Sequence, residues 1–284
     1  MITLVTGSNG QLGKTLHSIT KNNKQFIYFD KDELDITKEN KLQEVILKHK
    51  IKYIINCAAY TDVNRAETDK EKALEINSIA VLRIAKLAEK HNLRVIHIST
   101  DYVYGGLDKS EISEDEIVNP QNYYGFSKSE GENNIIKSNS DSIVIRTSWL
   151  YSRFGKNFVK NIIEKANNKD SINVIDDQFG CPTNAVDLAE AILKILHFKG
   201  RIDSKSKVYN FSNMGYTSWH NFAKYIIKQN KIECSVNKIK SNAINQRAKR
   251  PKFAITDKTK IISVFKLEIP HWKESLEKFL KKKS

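Results

Sequence analysis

Residues 2–6, Ile-Thr-Leu-Val-Thr, form a β-branched apolar run, and Gly7-Ser-Asn-Gly-Gln-Leu-Gly13 follows with no spacer. Leu12, Leu16 and Ile19 then recur at helical spacing. A buried strand that becomes a helix through three spaced glycines constrains this chain more than any other feature. Gly7 allows the tight turn, Gly10 a close approach of backbone to a pyrophosphate, and Gly13 close packing of helix on strand. The helix then offers its free first-turn N–H groups and the positive end of its dipole to phosphate oxygens. The stretch predicts the opening unit of a dinucleotide-binding sheet.

The alternation continues from there. Residues 25–29 read as a second strand ending at Asp30, placed to accept hydrogen bonds from an adenosine ribose, which favours NADH. Lys31 follows directly and suits a 2′-phosphate, so the choice between NADPH and NADH stays open. Residues 52–59 form a third strand whose small terminal residues leave room for a flat ring at a crevice. A long helix over about 69–91 buries Ala73, Ile76, Ala80, Ile84 and Leu87. Asn77 within it could bond to backbone and brace a neighbouring helix. Residues 94–98 form a fourth strand with Ser99-Thr100-Asp101 at its carboxyl end, and His97 inside it reads as a packed core histidine. Residues 142–146 are a fifth strand. Strand and helix alternate throughout, so the fold class is α/β with a doubly wound parallel sheet. The loop over 102–120, with Gly105-Gly106 and an acidic patch from Glu111 to Glu116, reads as a mobile lid.

The character changes after Arg146. Residues 147–158 mix aromatics, hydroxyls and bases, a surface on which a sugar or base stacks while its anionic part meets Arg or Lys. Strands at 172–175 and 234–239, helices at 185–196 and 218–230, and two short C-terminal helices complete a smaller C-terminal α/β lobe, while residues 207–211 rejoin the main sheet. The expected division is residues 1–148 with about 184–212 for the dinucleotide, and about 149–183 with 213–284 for the substrate. Lys281 to Lys283 read as a solvated tail.

Tyr124 and Lys128 lie one turn apart on a helix face, and an ammonium held near a phenol favours the phenolate, making the tyrosine a proton donor and acceptor near neutral pH. The hydroxyls at the end of the fourth strand, in Ser99-Thr100, would polarise a carbonyl beside it. The net charge of +14 raises a nucleic-acid reading, yet the lysines are scattered and no nucleic-acid module accompanies them. A lysine-rich background with some attraction for anionic ligands explains the charge. No apolar run approaches a membrane span. Cys57, Cys181 and Cys234 have no metal-ligand spacing and suit a reducing cytoplasm, and the first residues read as a strand and not as an export leader.

Together these residues resemble the extended short-chain dehydrogenase/reductase superfamily and its Rossmann fold, and more narrowly the dTDP-4-dehydrorhamnose reductase family. The narrower resemblance is carried by Gly10-Gln-Leu-Gly13, Asn56-Cys-Ala-Ala-Tyr-Thr-Asp-Val-Asn-Arg-Ala-Glu67, Ser99-Thr-Asp-Tyr-Val-Tyr104 and Pro120-Gln-Asn-Tyr-Tyr-Gly-Phe-Ser-Lys128. It continues through Arg146-Thr-Ser-Trp-Leu-Tyr151, Asp177-Gln-Phe-Gly-Cys-Pro-Thr183 and Arg250-Pro251. The resemblance implies Thr100, Tyr124 and Lys128 as catalytic and Asp101 and Trp149, beside Thr100, as substrate contacts. It implies a cofactor site of Gly10, Gln11, Leu12, Asp30, Asp35, Ile36, Ala59, Tyr60 and Thr61, to which Tyr124 and Lys128 and the turn residues Gly7, Asn9 and Gly13 add.

The implied reaction is NAD(P)H-dependent reduction of the 4-keto group of dTDP-4-dehydro-L-rhamnose to dTDP-L-rhamnose, with Arg153, Lys156 and Arg250 as candidates to hold the diphosphate. The rivals are another nucleotide-sugar epimerase or reductase, a dehydratase (disfavoured because Tyr102, not an acid, follows Asp101), and a regulatory subunit resembling the methionine adenosyltransferase β subunit. Some members carry a glutamate at a Mg²⁺-bridged dimer contact where this chain has Thr15. No metal is therefore expected, and the chain is expected to be a monomer or homodimer.

Overall fold

The computed structural model describes residues 1–105, 111–138, 141–198, 207–244 and 246–281. Strands β1 (Ile2–Thr6), β2 (Phe26–Phe29), β3 (Ile51–Asn56), β4 (Arg94–Thr100) and β5 (Ile143–Thr147) join the strand Val208–Phe211 in one sheet. Every pairing is parallel, and the spatial order is Val208–Phe211, β5, β4, β3, β1, β2. The order therefore reverses between β1 and β3. A crevice opens at such a reversal because the crossovers on either side leave in opposite directions. The fold is a Rossmann-like α/β sheet, as its strand pattern implies.

Helices cover both faces. Leu12 and Leu16 of α1 (Gln11–Thr20) pack with Leu188, Ile192 and Ile195 of the helix Ala185–Leu196 on one side. Leu42 and Ile46 of α2 (Glu39–Lys48) pack with Val81, Ile84 and Leu87 on the other. Each such side chain, fully buried, contributes roughly 1.5–3 kcal/mol. A third cluster gathers Tyr151, Val159, Ile162, Phe222, Ile226, Trp272, Leu276 and Phe279 around three small sheets. In one of them Ser171–Ile175 pairs with Ser235–Ile239 in parallel.

The helix expected over 69–91 is not uniform. It runs Lys70–Leu74, widens into a π turn at Glu75–Ile79, and resumes at Ala80–His91. Asn77 sits in that turn, fully buried. The lid reading of residues 102–120 includes 106–110, which lie outside the described residues, as do Lys282 and Lys283 of the basic tail. The acidic patch is anchored where it is described. Glu114 accepts a hydrogen bond from the Asn210 amide at 2.7 Å, and Ile112 is buried and bridges to Thr256.

Candidate active site

Gly7 carries the chain out of β1 with φ of +68°, and a Cβ there would lie 2.6 Å from the Ala58 amide nitrogen. Only glycine brings the ends of β1 and β3 so close. Gly10 is the N-cap of helix α1 and no side chain caps that end, so its first-turn amides stay available to a ligand. Those amides, a turn without side chains and the crevice between β1 and β3 fit a dinucleotide diphosphate.

The helix Tyr123–Lys137 enters the same crevice from the other side. Asn122 caps it by accepting from the Gly125 amide at 2.8 Å, and Glu67 accepts from the Tyr123 amide at 2.7 Å. Gly131 brings it against the π turn, where a Cβ would stand 2.1 Å from the Asn77 carbonyl oxygen. Asn77 completes the junction: its Oδ1 accepts from the Tyr60 amide at 2.8 Å, and its Nδ2 donates to Tyr60 O and to Ser127 Oγ, each at 3.0 Å. The π turn inserts one residue and aims Asn77 at both the loop after β3 and the Tyr124 helix.

The resulting cleft, about 330 Å³, is lined by Thr100, Tyr124 and Lys128 together with Gly10, Gln11, Leu12, Gly13, Ala59, Thr61, Asp101 and Trp149. Other residues named from sequence stand back from it. Gly7 lies beneath the turn, and Asn9 donates to the Asp30 carboxylate, which also accepts from the amides of Asp32 and Glu33. Asp35 is held by the amide and hydroxyl of Thr37, Ile36 is buried, and the Tyr60 hydroxyl donates to Asp69. Arg153, Lys156 and Arg250 do not line the cleft. Arg250 instead donates to Gln246, the Ala248 carbonyl and Asn64. Thr15 is buried with its hydroxyl on the Gln11 carbonyl, and the described residues contain no cluster of three or more potential metal ligands.

The electrostatics correct one expectation. Burial, against a lowering hydrogen bond from Thr100 and with Asp101 and Tyr102 adding to it, holds the Tyr124 phenol well above its ordinary pKa, not below it. Tyr124 is thus stored as a proton donor. Burial pushes the Lys128 amine down to about 8, opposed by Glu132 and Cys57. Asp101 is 3% exposed, accepts from the Thr100 hydroxyl at 3.0 Å, and is pushed up to about 7, first by burial. Its second oxygen is buried without a partner.

Three features escaped the sequence reading. Trp149, in left-handed backbone with φ of +44°, stacks on Trp219 at 3.4 Å between centroids and 8° between planes. Arg146 and Glu132 form a buried pair at 2.6 Å beneath the Tyr124 helix, with the guanidinium 4.6 Å from the centre of the Tyr104 ring. His97 is a buried core residue as expected, but its Nε2 lies 3.3 Å from Lys128 Nζ. Arg146 inside an apolar strand signalled a buried acid; nothing local signalled Trp219.

The comparisons cover the whole chain. A family model described as RmlD substrate binding domain matches residues 1–284. The dTDP-4-dehydrorhamnose reductase of Aggregatibacter actinomycetemcomitans is 35% identical over 96% of both chains. The spore coat polysaccharide biosynthesis protein SpsK of Bacillus subtilis (strain 168) is 31% identical over 99% of this chain and 97% of its own. The solved structure of dTDP-4-dehydrorhamnose reductase from Bacillus anthracis str. Ames, in complex with NADP, matches with a TM-score of 0.93 at 34% identity, over 99% of this chain and 100% of that one. The glycine turn, the Thr100, Tyr124 and Lys128 cleft and this end-to-end similarity agree: the chain belongs to the RmlD substrate binding domain family, the family of dTDP-4-dehydrorhamnose reductases.

Proposed function

We propose that this protein reduces the 4-keto group of dTDP-4-dehydro-L-rhamnose to give dTDP-L-rhamnose, with NADPH or NADH as reductant. The observation that carries the reading is the convergence of Thr100, Tyr124 and Lys128 on one cleft with the first turn of α1. In this reading residues 1–148 with about 184–212 hold the dinucleotide, and about 149–183 with 213–284 hold the sugar nucleotide. Gly7, Gly10 and the amides of Gln11, Leu12 and Gly13 receive the diphosphate, Asp30 the adenosine ribose, and Lys128 the nicotinamide ribose. When bound, the nicotinamide supplies the hydride.

The protein's own work is at the ketone oxygen. Tyr124 gives its phenolic proton to the oxygen as negative charge develops there, and Thr100 donates a second hydrogen bond to the same atom. The Thr100 hydroxyl carries a single proton, now given to Asp101 Oδ1 at 3.0 Å, so donating to the ketone oxygen requires that hydroxyl to turn away from the carboxylate. Trp149 supplies a flat apolar face for the sugar nucleotide. The test is loss of reduced-nicotinamide absorbance with dTDP-4-dehydro-L-rhamnose, run with each cofactor. The expected outcome is stoichiometric oxidation; none with either cofactor would sink the proposal.

A further inference from the structure

His97 belongs to a row of polar side chains that runs across three strands to Lys128. Thr6 of β1 pairs in register with Asn56 of β3, and Asn56 with His97 of β4. The Thr6 hydroxyl donates to Asn56 Oδ1 at 2.7 Å, and Asn56 Nδ2 faces His97 Nδ1 at 3.0 Å. Lys128 Nζ then lies 3.3 Å from His97 Nε2 and donates to the Ile98 carbonyl at 2.6 Å. All four side chains are at most 1% exposed. From Thr6 to His97 such a row in the interior of a sheet must resolve its donors and acceptors internally, and it meets the cleft at Lys128.

The resolution is unambiguous at one end. The Ala58 amide can only donate, and it donates to Asn56 Oδ1 at 3.3 Å. Oδ1 is therefore the oxygen, Nδ2 donates to His97 Nδ1, and the single proton of a neutral imidazole falls on Nε2. The imidazole is neutral because burial, and after it Lys128, drives its pKa well below the usual histidine value. An N–H therefore points at Lys128 Nζ. That contact is a hydrogen bond when the amine is neutral and its lone pair accepts. It sets two donors against each other when the amine is an ammonium.

We propose that His97 is a positioning residue for Lys128: its fixed Nε2–H favours the neutral amine in the free protein, so that Lys128 takes up a proton when the dinucleotide binds. The inference rests on the reading of the cleft as a dinucleotide site. The other groups around Lys128 set the balance. Glu132, one turn along the same helix, favours the ammonium, but Arg146 already neutralises it at 2.6 Å. Cys57, at the end of β3, is a thiol pushed up to about 12 by burial and is uncharged. Tyr124, on the same helix face, stays protonated, and Asp101 is hydrogen-bonded to Thr100. Asp101, pushed up to about 7, is a carboxylate at pH 8.5, but the charges that act on Lys128 are those of Glu132 and Cys57, and neither supplies a full counter-charge. An arriving dinucleotide brings ribose hydroxyls and a diphosphate, and these favour the ammonium.

The experiment is calorimetric titration of the full-length protein with NADPH at pH 8.5, in two buffers of different ionisation enthalpy. With Lys128 near 8, binding should take up roughly three-quarters of a proton. His97→Asn keeps an acceptor for Asn56 but loses the N–H aimed at Lys128, and should cut that uptake to about a quarter or less, as expected for a rise of one unit in the Lys128 pKa. His97→Gln, which restores a donor at the far position, should keep uptake near the wild-type value. Wild-type uptake in His97→Asn, or its loss in His97→Gln, would overturn the proposal by leaving His97 a purely structural residue. Zero uptake by a wild-type protein that binds NADPH would overturn it too. A wild type that binds no NADPH would remove the dinucleotide reading as well.

Discussion

The two sides of the cleft are built by different means. The side proposed for the dinucleotide, at the ends of β1 and β3, is made of backbone: a positive-φ glycine, uncapped amides of α1 and small residues after β3. The side proposed for the sugar is made of large side chains from distant parts of the chain, with Trp149 held in left-handed backbone against Trp219, seventy positions later. A backbone site tolerates almost no substitution but is specified within a few residues. A side-chain site can be retuned residue by residue, yet holds its shape only if the small sheets behind it are in place. Between them stands the Tyr123–Lys137 helix, which belongs to neither side and is braced by both Asn77 and the Arg146–Glu132 pair.

This contrast can be broken at its seam first. Tyr124→Phe should lower turnover about a thousandfold, within the usual range for a positioned proton donor, while NADPH affinity measured by fluorescence titration stays nearly unchanged. Equal loss of both would mean that the helix serves the dinucleotide side alone. Gly7→Ala comes next. Positive φ and a Cβ 2.6 Å from the Ala58 nitrogen should cost about 3 kcal/mol in urea unfolding and weaken NADPH binding before substrate binding.

Asp101 gives a pH-dependent sharpening. Its folded pKa is raised to about 7, so the folded state holds a proton that the unfolded chain releases near pH 4. The stability this confers is present below pH 4 and lost as pH rises through 7. Asp101→Asn should therefore unfold at higher urea than wild type at pH 8, by on the order of 2 kcal/mol, with the gap closing towards pH 4. A constant gap across that range would assign the gain to packing. The smallest effect is expected from Trp219→Ala. Releasing the Trp149 ring should raise the KM for the sugar nucleotide about five- to tenfold, on the order of 1 kcal/mol, and leave the KM for NADPH alone. A change in the second constant would show that the two sides are not separable.

The same contrast explains what the sequence could disclose. The glycine turn and the Tyr124/Lys128 spacing were legible because each is local: a turn needs its glycines within six residues, and two side chains on one helix face need a fixed interval. Alternating apolar strands and amphipathic helices fixed the sheet for the same reason. The π turn at Asn77 was not legible, since its cause is the demand of Tyr60 and Ser127 for the same amide, and both lie far away in sequence. The direction of the Tyr124 pKa shift was misread because burial raises it against no more than a hydrogen bond from Thr100, and the depth of burial is a property of the closed fold. His97 was read correctly as a core residue. Its contact with Lys128 depends on the register of three strands, which no local pattern states.

The stacked indoles have one more consequence. Two indoles stacked in near-parallel planes at 3.4 Å couple their transition dipoles, and with those dipoles rotated relative to each other within the planes Trp149 and Trp219 should give a split near-ultraviolet dichroism band that neither ring shows alone. The only other tryptophan, Trp272, packs on Phe222 and Tyr225 and stands as an internal reference. A ligand that displaces or twists Trp149 would collapse the split band without touching the reference. The molecule thus carries its own optical gauge of the sugar side, and occupancy can be followed there without a label and without turnover.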